Sequence, residues 1–99
     1  MLIDENEKTT LFNELQKIIN EADPVGLIYG EENKDEYNPE IKEIINKLDF
    51  NETEDKIIHS IHKIFIDYFD KDIVSDISPY KLIAKKIKQN EVINKIINE

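Results

Sequence analysis

Cysteine and arginine are missing altogether from this chain of 99 residues, and it holds only 2 glycines and 3 prolines. Without cysteine there is neither a disulfide frame nor thiolate chemistry, and a thiolate metal site is excluded, so stability has to come from packing. All 13 basic residues are lysines. The planar guanidinium fork that grips phosphate and guanine is therefore absent, which together with a formal charge of -9 argues against nucleic acid and disfavours acidic ligands. No apolar run approaches the roughly 18 residues of a membrane span. The opening "MLIDENEKTT" turns acidic after two apolar residues and lacks the basic flank and apolar centre of a signal peptide. The expected setting is soluble and cytoplasmic, with no membrane.

What the chain does contain is 39% hydrophobic and 35% charged residues, a polar mixture that is still too rich in isoleucine for a disordered chain. Its length suits one domain with one core. The 22 acidic side chains point to solubility and, more sharply, to electrostatic steering toward a basic protein.

The apolar residues recur at helical spacing, with no strand-like alternation longer than a few residues and no internal repeat. Leu11, Phe12, Leu15, Ile18, Ile19 and Ala22 form one stripe, with Asp4 and Glu7 placed as a capping box, which predicts a helix near 5–21. Pro24 is expected to hold Asp23 extended and stop it. Asn38 and Pro39 read as an N-cap and a proline at the first helical position, starting a short helix over 39–48 with Ile41, Ile44, Ile45 and Leu48 inward. The widest stripe, Ile57, Ile58, Ile61, Ile64, Phe65, Tyr68 and Phe69, predicts a central helix over 52–69 capped reciprocally by Asn51 and Glu54. Ser78 and Pro79 open a fourth helix over 79–89, with Ile77 and Leu82 set for a hydrophobic staple and Lys81, Lys85, Lys86 and Lys88 toward its negative end. Val92, Ile93, Ile96 and Ile97 fall out of phase with it, so a break at Asn90 and a further helix over 91–98 are expected. The fold class is thus all-α: a single compact domain over 1–99 of four helices, or five, orthogonal or bundle-like.

Chemistry-bearing constellations are few. His59 and His62 stand at i, i+3, but no H-E-x-x-H pattern or third ligand accompanies them. Ser60 points away from His62 and there is no G-x-S-x-G elbow. The acidic stretches "GEENKDEYNPE" and "DYFDKDIVSD" lack the frame of a calcium loop. No two carboxylates are placed together in a site that would separate their pKa values, so no catalytic residue, cofactor or metal is assigned and the chain is read as a non-enzyme.

Backbone punctuation is concentrated instead in "ADPVGLIYGEENKDEYNPE", which holds both glycines and two of the prolines. Asp23, Pro24 and Gly26 at one end, and Asn38 and Pro39 at the other, read as an ordered corner: Asp23 accepts from backbone N–H groups beyond Pro24, while Gly26 permits positive φ. Val25, Leu27, Ile28 and Tyr29 are then laid on the helix ends. The functional reading of the corner is an acidic and aromatic patch of Tyr29, Glu31, Glu32, Asp35, Glu36 and Tyr37 facing a basic partner.

Asp23-Pro24-Val25-Gly26, then Asp35-Glu36-Tyr37-Asn38-Pro39-Glu40, then "KIIHSIHKIF" and "YKLIAKKI" resemble the small bacterial YugE-like domain-of-unknown-function proteins. The likeness covers about residues 12 to 88. The chain differs in having Ala22 where that family often has Trp, and in a longer insert between Gly26 and Tyr37. The resemblance implies a compact four-helix fold and carries over no catalytic residues.

The functional expectation is a protein-interaction module, one version being an acidic immunity-type inhibitor of a basic toxin. Two other classes compete with it: a small-ligand protein or enzyme using the 23–38 corner and His62, and a homodimer pairing through 92–97.

Overall fold

An aspartate and a glutamate three residues apart begin the first helix. The Glu7 backbone N–H donates to Asp4 Oδ1 at 2.7 Å and the Asp4 N–H donates back to Glu7 Oε1 at 3.3 Å, so two of the orphan donors at this helix start are satisfied. The helix that follows, α1, runs Glu5–Ala22 in the computed structural model, which describes residues 3–28 and 33–98. It ends as Asp23 turns left-handed (φ 45°, ψ 61°) and its N–H closes on Ile19 O. Proline was expected to hold Asp23 extended. The left-handed region also escapes the clash with the proline ring, and aspartate tolerates it because its short carboxylate bonds nearby backbone.

Four more helices follow: α2 (Asn38–Lys47), α3 (Glu54–Phe69), α4 (Ser78–Gln89) and α5 (Glu91–Ile97), with no strand among the described residues. The protein is all-α. Three caps differ from the sequence reading. The α2 N-cap position is Tyr37 and that of α4 is Ile77, neither with a side-chain cap bond, because each proline sits at the second helical position rather than the first. Asn38 is drawn instead into a bond with α1, and Asp76 serves the start of α4 by accepting from the Ser78 N–H at 2.9 Å. Leu82, set for a staple, remains exposed. At α3 the cap is Thr53, whose hydroxyl accepts from Lys56 N–H at 3.3 Å; Asn51 lies before it in the connector, with its own N–H on Asp49 Oδ1.

Asn90 breaks the last helical stretch as a shared residue. It is extended (φ -80°, ψ 115°), ends α4, and caps α5 by accepting from Ile93 N–H at 2.8 Å. Its side-chain amide also donates to Glu14 Oε1 at 3.1 Å, which holds the break against α1. This bond keeps the Glu14 carboxyl below its ordinary pKa. The break lets α5 fold back, so Ile93 and Ile96 enter the chain's own core and, of the apolar residues there, Val92 stands well out.

The helical stripes meet in one core, from Leu11, Leu15, Ile18 and Ile19 of α1 through Ile57, Ile61 and Phe65 of α3 to Ile83 and Ile87 of α4. A radius of gyration of 12.8 Å matches the roughly 13 Å of a folded chain this long. Two helices share the centre: α1 packs on α2, α4 and α5, and α4 on α1, α3 and α5, whereas α3, expected to be central, packs on α2 and α4. The difference arises at Asn90, since a continuous last helix would not have brought α5 across α1. The connectors contribute as well: Phe50 and Val74 are buried, and Lys88 Nζ donates to Phe50 O at 3.2 Å.

Phe65 is fully buried against Tyr37 (5.8 Å between ring centroids), Phe69 (5.9 Å) and Tyr80 (5.3 Å). Phe65→Ala should cost about 3–5 kcal/mol of unfolding free energy in urea denaturation. Glu40 generates a second prediction. It is 3% exposed, its Oε2 has no hydrogen-bond partner, and burial raises its carboxyl pKa, helped by the Glu36 charge and opposed by its own backbone N–H. A raised pKa means the folded state holds the proton more tightly, so stability should fall as pH rises from about 4.5 through the folded value. Glu40→Gln should remove that fall and be the more stable protein at neutral pH, as read from melting temperature against pH.

Candidate functional site

Beyond α1 the chain is turned by one carboxylate. Asp23 Oδ1 accepts from Leu27 N–H at 2.8 Å and from Ile28 N–H at 3.3 Å, while Gly26 takes the positive φ (74°) that the turn demands. The same oxygen accepts the Tyr37 hydroxyl proton at 2.6 Å, and that hydroxyl accepts in turn from Val25 N–H at 3.0 Å. Val25, Leu27 and Ile28 are packed, partly buried, against the core. At the far end, Gln16 and Asn20, one turn apart on α1, hold the approach to α2. Gln16 Nε2 donates to Asn38 Oδ1 at 2.9 Å, and Asn20 Nδ2 donates to Lys34 O at 2.8 Å. The Asn33 side-chain amide also donates to Leu27 O, tying the two limbs of the corner together.

The corner is therefore ordered at both described ends. Of the residues assigned to the acidic and aromatic patch, Tyr29, Glu31 and Glu32 lie outside the described residues. Asp35 and Glu36 are exposed. Tyr37 does not belong to a surface: it is 0% exposed, with its ring 5.8 Å from Phe65 and 6.3 Å from Phe69. The reason is its hydroxyl, which meets both a donor and an acceptor inside and so loses nothing by leaving water. Burial, and then the bond to Asp23, push its pKa above the ordinary phenol value, so Tyr37 stays a neutral donor. Pro39 is exposed at the α2 start.

His62, paired with the corner in the enzyme reading, stands elsewhere. Its Nε2 is 2.6 Å from Val74 O, and its ring lies on Tyr80 at 4.7 Å between centroids, so it fastens the connector between α3 and α4. The rings of Phe65 and Tyr80 separate it from Tyr37. His59 is exposed. No group of three metal-capable side chains occurs among the described residues. Tyr80 is buried with its hydroxyl unpartnered, and burial followed by the Asp76 charge pushes its pKa up to about 12. As a chemical device the corner has a saturated carboxylate and a neutral phenol, an arrangement that fixes backbone rather than moves protons.

Gln16, Asn20 and Phe50 were missed in the sequence. Phe50 was visible as a lone aromatic in the polar "LDFNETED"; the two amides sit on the flank of the α1 stripe and have no local signal. Comparison with protein-family models, curated proteins and solved structures found no match.

Tyr37→Phe should destabilise the protein by about 1–3 kcal/mol, because Val25 N–H and Asp23 each lose a part-buried partner. Combined with Asp23→Ala the effects should fall short of additive, since both remove the same bond. Hydrogen exchange at Val25 and Leu27 should quicken in either variant while exchange in α3 changes less.

Proposed function

We infer that the protein is a non-enzymatic interaction module whose acidic surface docks a basic protein, in the manner of an immunity-type inhibitor. The observation that carries this is the placement of charge. Glu40 is the one buried charged side chain among the described residues, so the other described carboxylates face or border solvent. Ion pairs within 4.0 Å involve only five of the lysines there, Lys8, Lys17, Lys47, Lys56 and Lys86, each with one glutamate. All five are at least partly solvent-exposed pairs and offset little of the field. A surface of this kind accelerates encounter with a cationic partner and repels acidic ones. Asp35 and Glu36 stand on the described limb of the corner next to α2, whose backbone is tied by turn bonds and by Asn20, so presenting them costs little entropy on binding. A protein partner retained from extract of the native host should bind more weakly as salt rises from about 50 to 500 mM, because the Debye length shrinks to a few ångströms. Retention of no partner at low salt, or binding indifferent to salt, would sink the steering idea.

A further inference from the structure

Surface hollows among the described residues differ in their charge. The groove between α1 and α5 (about 370 Å³) carries Asp4 and Glu7 beside Lys95. The two hollows between the end of α2 and α3 (about 190 and 380 Å³) mix lysines with Asp67, or with Asp49 and Glu52. The groove between α1 and α2, about 350 Å³, is lined by Lys8, Thr9, Phe12, Lys42, Ile45 and Asn46, with no carboxylate. In a chain of charge -9 that is a local reversal of sign.

We propose that this α1–α2 groove binds a small amphipathic carboxylate, an apolar body of one ring or a short acyl chain with a single anionic end. Helix spacing builds the site: Lys8 and Phe12 are i, i+4 on α1, and Lys42, Ile45 and Asn46 are i, i+3 and i+4 on α2, so each helix offers an ammonium beside an apolar side chain. Phe12 and Ile45 are packed on the core from below and only partly covered, which makes them a rigid apolar floor. The cations are available. Lys42 makes no ion pair among the described residues, and Lys8 stands 3.9 Å from Glu5, beyond hydrogen-bond reach, with its side chain 51% exposed. Asn46 adds an amide that no hydrogen bond among the described residues uses, whereas the Thr9 hydroxyl already donates to Glu5 O at 3.0 Å. The volume lies at the low end of the roughly 300–1,000 Å³ of small-ligand clefts, which limits the occupant's size. The overall negative field opposes any anion, so the apolar floor must supply most of the affinity and the two lysines the choice of charge. The site is separate from the acidic docking surface and stands or falls independently of it.

Titration of the 15N-labelled 99-residue chain with 3-phenylpropionate tests the proposal. Saturable amide shifts are expected around residues 8–12 and 42–46. The neutral isostere 3-phenylpropanamide should bind about tenfold more weakly, and inorganic phosphate, which has no apolar body, should give no saturable shift. Lys42→Gln, at an exposed position that leaves the core intact, should weaken 3-phenylpropionate by a similar factor without changing the melting temperature. The proposal is overturned if no saturation occurs by about 10 mM, a limit near the weakest specific binding. It is equally overturned if the amide binds as well as the acid, if Lys42→Gln has no effect, or if the shifts map to the α1–α5 groove.

Discussion

One phenolic hydroxyl organises this protein. Tyr37 O–H reaches Asp23 and receives Val25 N–H, so a single buried group joins the end of α1, the turn beyond it and the start of α2. Its ring continues into the core against Phe65 and Phe69. The polar and apolar halves of one side chain thus do different tasks: the hydroxyl closes the corner, and the ring joins that corner to α3. Without the hydroxyl's partners the ring would bury at a desolvation cost. Without the ring, Asp23 would organise only its own turn.

The same division recurs wherever the chain leaves a helix. His62 holds the connector after α3 through Val74 O, Lys88 reaches Phe50 O in the connector before it, and Glu14 receives the Asn90 amide at the α4–α5 break. Each tie comes from a half-buried side chain on a helix and ends on an irregular segment. A small domain without disulfides has few other means of restraining its loops. The His62 imidazole and the Tyr37 phenol are engaged in this restraint, and the surface carries the charge.

That surface is uneven. Exposed carboxylates set the overall field, while the groove between α1 and α2 opposes it with two lysines over Phe12 and Ile45. On the proposed reading of that groove, repulsion from the rest of the molecule would demand that an anion also satisfy the apolar floor. The two features are accordingly proposed for different ligands: the acidic exterior for a large cationic partner over a broad area, and the groove for a small anion at one point.

The helices were legible in the sequence because their stripes are local. Leu11 to Ile19 and Ile57 to Phe65 repeat at 3.6-residue spacing, Asp4 and Glu7 are three apart, and Asn90 marks a change of phase, so all-helical architecture follows from near neighbours. The Asp23 turn was legible for the same reason. Tyr37 was not: between Glu36 and Asn38 its surroundings look solvated, and only the approach of Asp23 and Val25, 14 and 12 residues away, makes its burial favourable. The roles of Gln16 and His62 likewise depend on which elements lie side by side. Periodicity and capping act through bonds between residues one turn apart, whereas partner choice for a buried hydroxyl, or a groove's sign of charge, is decided by groups that the folded chain alone brings together.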